Sequence, residues 1–201
     1  MRPMGAITKP RDDRWPGERR EWARPPVGGW VADDLDRLPN LPPHTELIAG
    51  SLVLMCPQTL YRAVVTSLLD HGLRTQVPDD LLAVRGMTVD LDRRNRAEPE
   101  VMVVRRVAAT DGSRTSFAPA QVVLAVEVES EDSAQRDREV KPRKYAGAGI
   151  AHYWRVEEAD GQPVVHVHEL DPATRTYLVT GVHRERLKLT VPFDVEIGLG
   201  T

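Results

Sequence analysis

Two glutamates, Glu127 and Glu129, close an apolar run that begins at Val122. The run reads as a buried strand, and a carboxylate at its end is costly to bury without a partner. Side chains alternate faces along a strand, so Val122, Leu124, Val126 and Val128 share one side and Val123, Ala125, Glu127 and Glu129 the other. The small residues beside Glu127 leave room on its face for a helix or an ion. Glu100 opens the preceding strand. If the two strands pair, Glu100 and Glu127 can converge, and two carboxylates a few ångströms apart require a proton or a cation between them. Hard oxygen ligands completed by water suit Mg²⁺ or Mn²⁺. A lysine close by would complete a phosphodiester-cleaving centre, by stabilising developing negative charge or by orienting the attacking water.

The elements that must position these groups can be read in order. Residues 1–29 are rich in Arg, Pro and Gly and read as a flexible arm, in which Trp15 and Trp22 could dock onto the body. Residues 30–201 form the domain proper. A short helix is expected over 30–38, ended by the prolines of PNLPP. Residues 44–55 read as two short strands joined at Ala49-Gly50, with Glu46 beside the apolar run. Leu60, Val64, Ser67, Leu68 and His71 fall at helical spacing and predict a helix over 60–73. Strands are expected over 81–91, with Gly86 as a bulge, and over 99–104, followed by a polar loop over 105–119. After the strand over 122–128, residues 133–147 read as a helix capped by Gly147 or Gly149. Strands then follow over 150–156, 163–170 and 175–181, with a last extended stretch over 187–197. The links between the strands 81–91, 99–104 and 122–128 hold no helix, which favours antiparallel neighbours. The architecture is therefore α/β or α+β: a mixed, mostly antiparallel sheet flanked by helices.

Composition narrows the class. With 201 residues, 41% hydrophobic and 28% charged, the chain suits one globular domain with an extension. A net charge of −3 provides no global basic field for nucleic acid, though a local basic groove is compatible with it. The single cysteine, Cys56, allows no internal disulfide and no thiolate zinc knuckle, and fits a reducing cytoplasm. No stretch approaches the roughly 18 apolar residues of a membrane span. Lysine is scarce, at positions 9, 141, 144 and 188 only.

Pro99-Glu100, Glu127-Val128-Glu129-Ser130, the segment from Asp137 to Lys141, Tyr145 and Tyr153-Trp154 together resemble the pattern of the Uma2 family, within the PD-(D/E)XK restriction-endonuclease-like superfamily. Glu46-Leu47-Ile48 with Gly50 is similar to the first strand motif of that family. The resemblance runs from about Trp30 to about Val156 and implies a restriction-endonuclease-like core with a divalent-metal site. Carried over residue by residue, it places Glu100 on the acidic residue of the PD motif and Glu127 on that of the second motif, the pair that would hold Mg²⁺ or Mn²⁺. The superfamily's usual lysine position is Glu129 here, and the lysine falls on the next helix, at Lys141. Lys144 lies on the same helix face and is a substitute for that role. Glu46 would supply a further ligand or orient water. Pro142 sits harmlessly in a first turn if the helix begins near Val140 and kinks it if the helix begins at Asp137.

The implied function is a metal-dependent endonuclease acting on nucleic acid, DNA in the first instance, as a homodimer able to meet both strands of a duplex. A function of another class also fits: a binding or assembly module that keeps the nuclease fold with a weakened site. Structural explanations stand beside the chemical ones. Glu127 and Glu129 could pair with Arg136 or Arg143, and Lys141 with Asp137 four residues back is a ready helix ion pair. His166 and His168 share a strand face without an evident third ligand, so they read as surface or interface residues. His152, Tyr153 and Trp154 suit a packed sheet better than base stacking. Cys56 beside Pro57 reads as a small buried hydrophobe rather than a nucleophile.

Overall fold

The structure, a computed structural model, describes residues 24–131 and 133–200. The arm expected over 1–29, with Trp15 and Trp22, falls mostly outside the described residues. The helix expected over 30–38 is a single 3₁₀ turn, Ala32–Asp34, on which only Ala32 is buried. One small apolar contact is too little to hold a longer helix in place.

The hairpin β1 (Glu46–Ile48) and β2 (Ser51–Val53) turns through Ala49 at φ 52° and Gly50 at φ 80°. Helix α1 (Leu60–Arg74) follows, with the Thr59 hydroxyl accepting the Arg62 amide at its N-terminus. Its buried residues are Arg62, Val65, Thr66, Leu69, Gly72 and Leu73, whereas Leu60 and Val64 are 81% and 43% exposed. The inward face is thus rotated from the one the apolar spacing predicts, because two polar residues are buried in preference to two apolar ones.

The single strand expected over 81–91 is two strands, β3 (Leu81–Val84) and β4 (Thr88–Asp92), separated at Gly86 with φ 63°. They join different sheets. β5 (Asn95–Ala97) is too short and too polar for its sequence to announce it. β6 (Val101–Arg105) comes next, and the expected polar loop contains β7 (Ser116–Phe117), which runs parallel to β4. β8 (Val122–Val128) has the expected bounds. A π-helical turn, Arg136–Val140, leads into α2 (Lys141–Ala148), which ends on Gly149 in the left-handed region at φ 86°. The remaining strands are β9 (His152–Ala159), β10 (Gln162–Asp171), β11 (Thr176–His183), β12 (Arg186–Leu189) and β13 (Val195–Gly198).

The main sheet has the order β11-β10-β9-β8-β6-β3, and its pairs are antiparallel except β8 with β9. That one parallel pair is joined by the crossover through α2, as parallel neighbours require. A second sheet has the order β2-β1-β5-β4-β7, and β12 pairs with β13. On one face of the main sheet, Leu124, Val126, Val128, Trp154 and Val156 pack with α1 and the β12–β13 hairpin. On the other, Met102, Ala125 and Tyr153 pack with α2 and with Val89 and Leu91 of the second sheet. The alternation in β8 shifts where the register moves from Val103↔Leu124 to Val104↔Val122. The extra residue sends Val122 to the face of Ala125 rather than that of Leu124. Among the described residues no helix is long and apolar enough to cross a membrane.

Candidate active site

Glu127 leaves the end of β8 on the α2 face, and everything around it is buried. Lys141, the first residue of α2, places its ammonium 2.9 Å from Glu127 Oε2, 2.9 Å from Glu46 Oε1 and 3.4 Å from Asp137 Oδ1. Glu46 comes from β1 in the second sheet, so three layers meet at one cation. Glu46 and Glu127 are 0% exposed, and Asp137 and Lys141 are 1% exposed. Tyr145 donates its hydroxyl to Glu127 Oε1 at 2.5 Å. Tyr153 donates to the Asp137 carbonyl at 2.8 Å and so pins the π-helical turn to the sheet.

That turn explains the lysine's position. Pro142 has no N–H to continue an ordinary helical ladder back to residue 138. The backbone upstream widens instead, and the Lys141 amide reaches the Arg136 carbonyl. Pro142 then sits in the first turn of α2, where it is tolerated. The wide turn delivers Asp137 and Lys141 to the same point, and single π-turns of this kind are common at functional sites.

Electrostatics follow from burial. Burial pushes the Glu127 carboxyl up to about 8, aided by Asp137 and Glu46 and opposed by Lys141 and the Tyr145 hydrogen bond. Burial works against the charge on Lys141, but Glu127, Glu46 and Asp137 outweigh it and raise the ammonium well above its ordinary value. Burial also raises the Tyr145 hydroxyl well above its ordinary value, so it stays a donor.

The expected site residues divide into two groups. Glu46, Glu127 and Lys141 come together. Glu100 lies just before β6 and takes other partners: its carboxylate pairs with Arg62 of α1 and accepts the Val128 amide at 3.0 Å. Glu129 is also apart from the cluster, paired with Arg138 at 2.7 Å and with Arg155. These, rather than Arg136 or Arg143, are its partners, because Arg155 stands opposite Glu127 on the neighbouring strand. Lys144 is half-buried, and the lysine of the cluster is Lys141. Asp137 was legible as the start of a motif segment and as a helix partner of Lys141 but not as a site residue, and Arg62 gave no signal. Cys56 is exposed rather than buried, on the rim of the cleft described next. His166 lies 3.0 Å from Glu157, and His168 packs its ring 5.3 Å from that of Tyr153.

A cleft of about 800 Å³ borders the cluster. Its wall includes Glu98, Pro99 and Glu100 on one side and Arg62, Thr66, Asp70 and Arg74 of α1 on another. The Glu98 amide donates to Glu46 Oε1 at 2.9 Å, so the segment 98–100 separates the cleft from the buried charges. Among the described residues, no three His, Cys, Asp or Glu side chains are already arranged as a metal site, since Lys141 holds the centre. The chemistry of the donor set nevertheless suits a hard cation. Three carboxylates face one ammonium, and Glu46 Oε2 and both Asp137 side-chain oxygens are buried without a hydrogen-bond partner.

The mixed sheet with flanking helices, carrying buried carboxylates and a lysine at the end of its central strand, defines a nuclease-like fold. The chain belongs to the Uma2 family: the family model, described as "Putative restriction endonuclease", matches residues 32–200. The crystal structure of a protein from Anabaena variabilis, described as "a putative nuclease belonging to DUF820", is similar. It has a TM-score of 0.57 and 15% identity, covering 74% of this chain and 94% of that one. At that identity the likeness is one of fold. No curated protein matches the chain.

Proposed function

We propose that this chain is a metal-dependent endonuclease that hydrolyses phosphodiester bonds of nucleic acid, DNA in the first instance, in the cytoplasm. The observation that carries this reading is the convergence of Glu46, Glu127 and Asp137 on Lys141 directly behind the cleft wall. Glu127, Glu46 and Asp137 would hold Mg²⁺ or Mn²⁺, with Glu100 reaching from the cleft side. A divalent ion bound there supplies Lewis-acid activation of water and charge stabilisation. The chain's own residues do the rest. Lys141, anchored by its carboxylates, stabilises negative charge developing on the phosphoryl oxygens. Tyr145 fixes the orientation of Glu127 by donating to Oε1. Leu178, Val179 and Val182, exposed on the edge strand β11, offer an apolar surface for a homodimer.

A second reading is favoured by the burial of the cluster. With Glu127 and Lys141 sealed and Glu100 engaged by Arg62, the chain would be a binding or assembly module on a nuclease fold, its charges structural. Calorimetric Mn²⁺ binding and plasmid nicking on wild type and Glu127→Ala separate the two. Binding and nicking that both vanish in Glu127→Ala are expected under the first reading. No binding by wild type at millimolar Mn²⁺ would overturn it and leave the second.

A further inference from the structure

The face of α1 that lines the cleft is a polar stripe: Arg62, Thr66, Asp70 and Arg74, each four residues from the last. Residues so spaced stand one above another on a helix. Two of them are buried and unsatisfied. Arg62 is 5% exposed and Thr66 1% exposed, yet Arg62 Nε and Thr66 Oγ1 have no hydrogen-bond partner among the described residues. A buried donor left unpaired is destabilising, so native chains rarely keep two of them side by side without a use. Both residues belong to the wall of a cavity large enough for a nucleotide, with these donors set just beneath its surface.

The carboxylates around them are already matched, which leaves one arginine over. The three carboxylates of the cleft each have a basic partner: Glu100 has Arg62, Asp70 has Arg74 at 2.8 Å, and Glu98 has His44 at 2.7 Å. Arg85 lines the same cavity as a further positive charge. Pro42, Pro43, Met55 and Pro57 also line the cavity and supply apolar surface suited to a sugar or base.

Resting on the nuclease reading, and deepening it, we infer that Arg62 and Thr66 form the seat for a phosphodiester oxygen of the nucleic-acid substrate, with Arg85 as a supporting charge. The same guanidinium holds Glu100 through Nη2. A phosphate that engages Nε therefore arrives next to the one acidic residue of the expected site that lies on the cleft wall. The seat positions the scissile group before any metal chemistry begins, and Arg62 and Thr66 are binding residues rather than catalytic ones.

The test reads binding without divalent metal. Fluorescence anisotropy of a labelled DNA duplex, in EDTA, is measured for wild type, Thr66→Val, Thr66→Ser and Arg62→Lys, with inorganic phosphate as competitor. Thr66→Val keeps the shape of the side chain, and Arg62→Lys keeps the charge opposite Glu100 while removing Nε. Thermal melts of each variant establish that it is folded. The expected result is about tenfold weaker binding in Thr66→Val and in Arg62→Lys, recovery in Thr66→Ser, and competition by millimolar phosphate. Equal binding by all four proteins, or duplex binding that phosphate does not compete, overturns the seat. Plasmid nicking in Mn²⁺ on the same samples reads the parent hypothesis separately. Nicking with indifferent binding sinks the seat alone. Binding that follows the variants without nicking in wild type sinks the nuclease reading and leaves the anion seat standing.

Discussion

Lys141 lies 2.9 Å from Glu46 although the two come from different layers, one from the start of α2 and the other from the first strand of the second sheet. A single buried ammonium therefore ties both sheets to the helix. Removing it would leave three buried carboxyl groups facing one another without a cation. Lys141→Met is expected to cost about 3–5 kcal/mol, the usual penalty for stripping one partner from a buried ion pair. Urea denaturation checks this, and a Lys141→Met protein as stable as wild type would show that the ammonium does not hold the layers together.

Glu127 gives stability a pH signature. Its carboxyl is pushed up to about 8 by burial, so the folded chain keeps a proton that the unfolded chain releases near the ordinary glutamate value. Between those values the folded state binds more protons. The contribution is complete below the unfolded value and is lost as pH rises through about 8. Wild-type Tm should therefore fall by several degrees more than that of Glu127→Gln as pH rises across this window. Parallel Tm curves for the two proteins would refute it. Mn²⁺ affinity should tighten over the same range, because the cation competes with that proton.

Asp137 is the site residue added by the fold. Asp137→Asn removes one of the carboxylates facing Lys141 while keeping its shape, and its main-chain bonds to Ser133 and Tyr153 do not involve the side chain. Mn²⁺ binding is expected to weaken by about 10–100-fold, with a normal circular dichroism spectrum. Unchanged affinity in calorimetry would remove Asp137 from the set.

Away from the site, Gly72 on α1 meets the C-terminal hairpin. A Cβ there would lie 2.6 Å from Ile197 Cδ1. Gly72→Val should cost about 1–3 kcal/mol through overpacking. Ile197→Ala in that background should restore part of the loss, and the double-mutant cycle should show a coupling energy beyond about 0.5 kcal/mol. Simple additivity would mean that the two side chains do not compete for this space.

The central strand, the hairpin carrying Glu46 and the lysine on the next helix were legible in the sequence because each is a local pattern. An apolar run ending in a carboxylate, a turn at Ala49-Gly50 and a proline next to Lys141 all speak for themselves. Glu100 was legible as an acidic residue but its partner was not. That partner sits on α1, whose apolar residues Leu60 and Val64 point outward while Arg62 and Thr66 point inward. A periodicity argument follows hydrophobicity and cannot foresee a helix that buries its polar stripe against a cleft. The split at Gly86 escaped for a related reason: alternation continues across it, and only the sheet assignment reveals that the two halves part. Asp137 needed the π-helical turn, a backbone irregularity created jointly by Pro142 and by the tyrosine that pins it.

The segment from Glu98 to Glu100 is a partition one chain thick. One side presents an amide to Glu46 in the buried cluster, and the other lines the open cavity with the carboxylate that Arg62 holds. The two compartments thus share a wall, and neither can be reshaped independently. Arg62 holds the wall from the cavity side through Glu100, and Glu46 holds it from behind through the Glu98 amide. Pro99 is the stiff panel between them, so a substitution there reaches the buried charges and the cavity lining together.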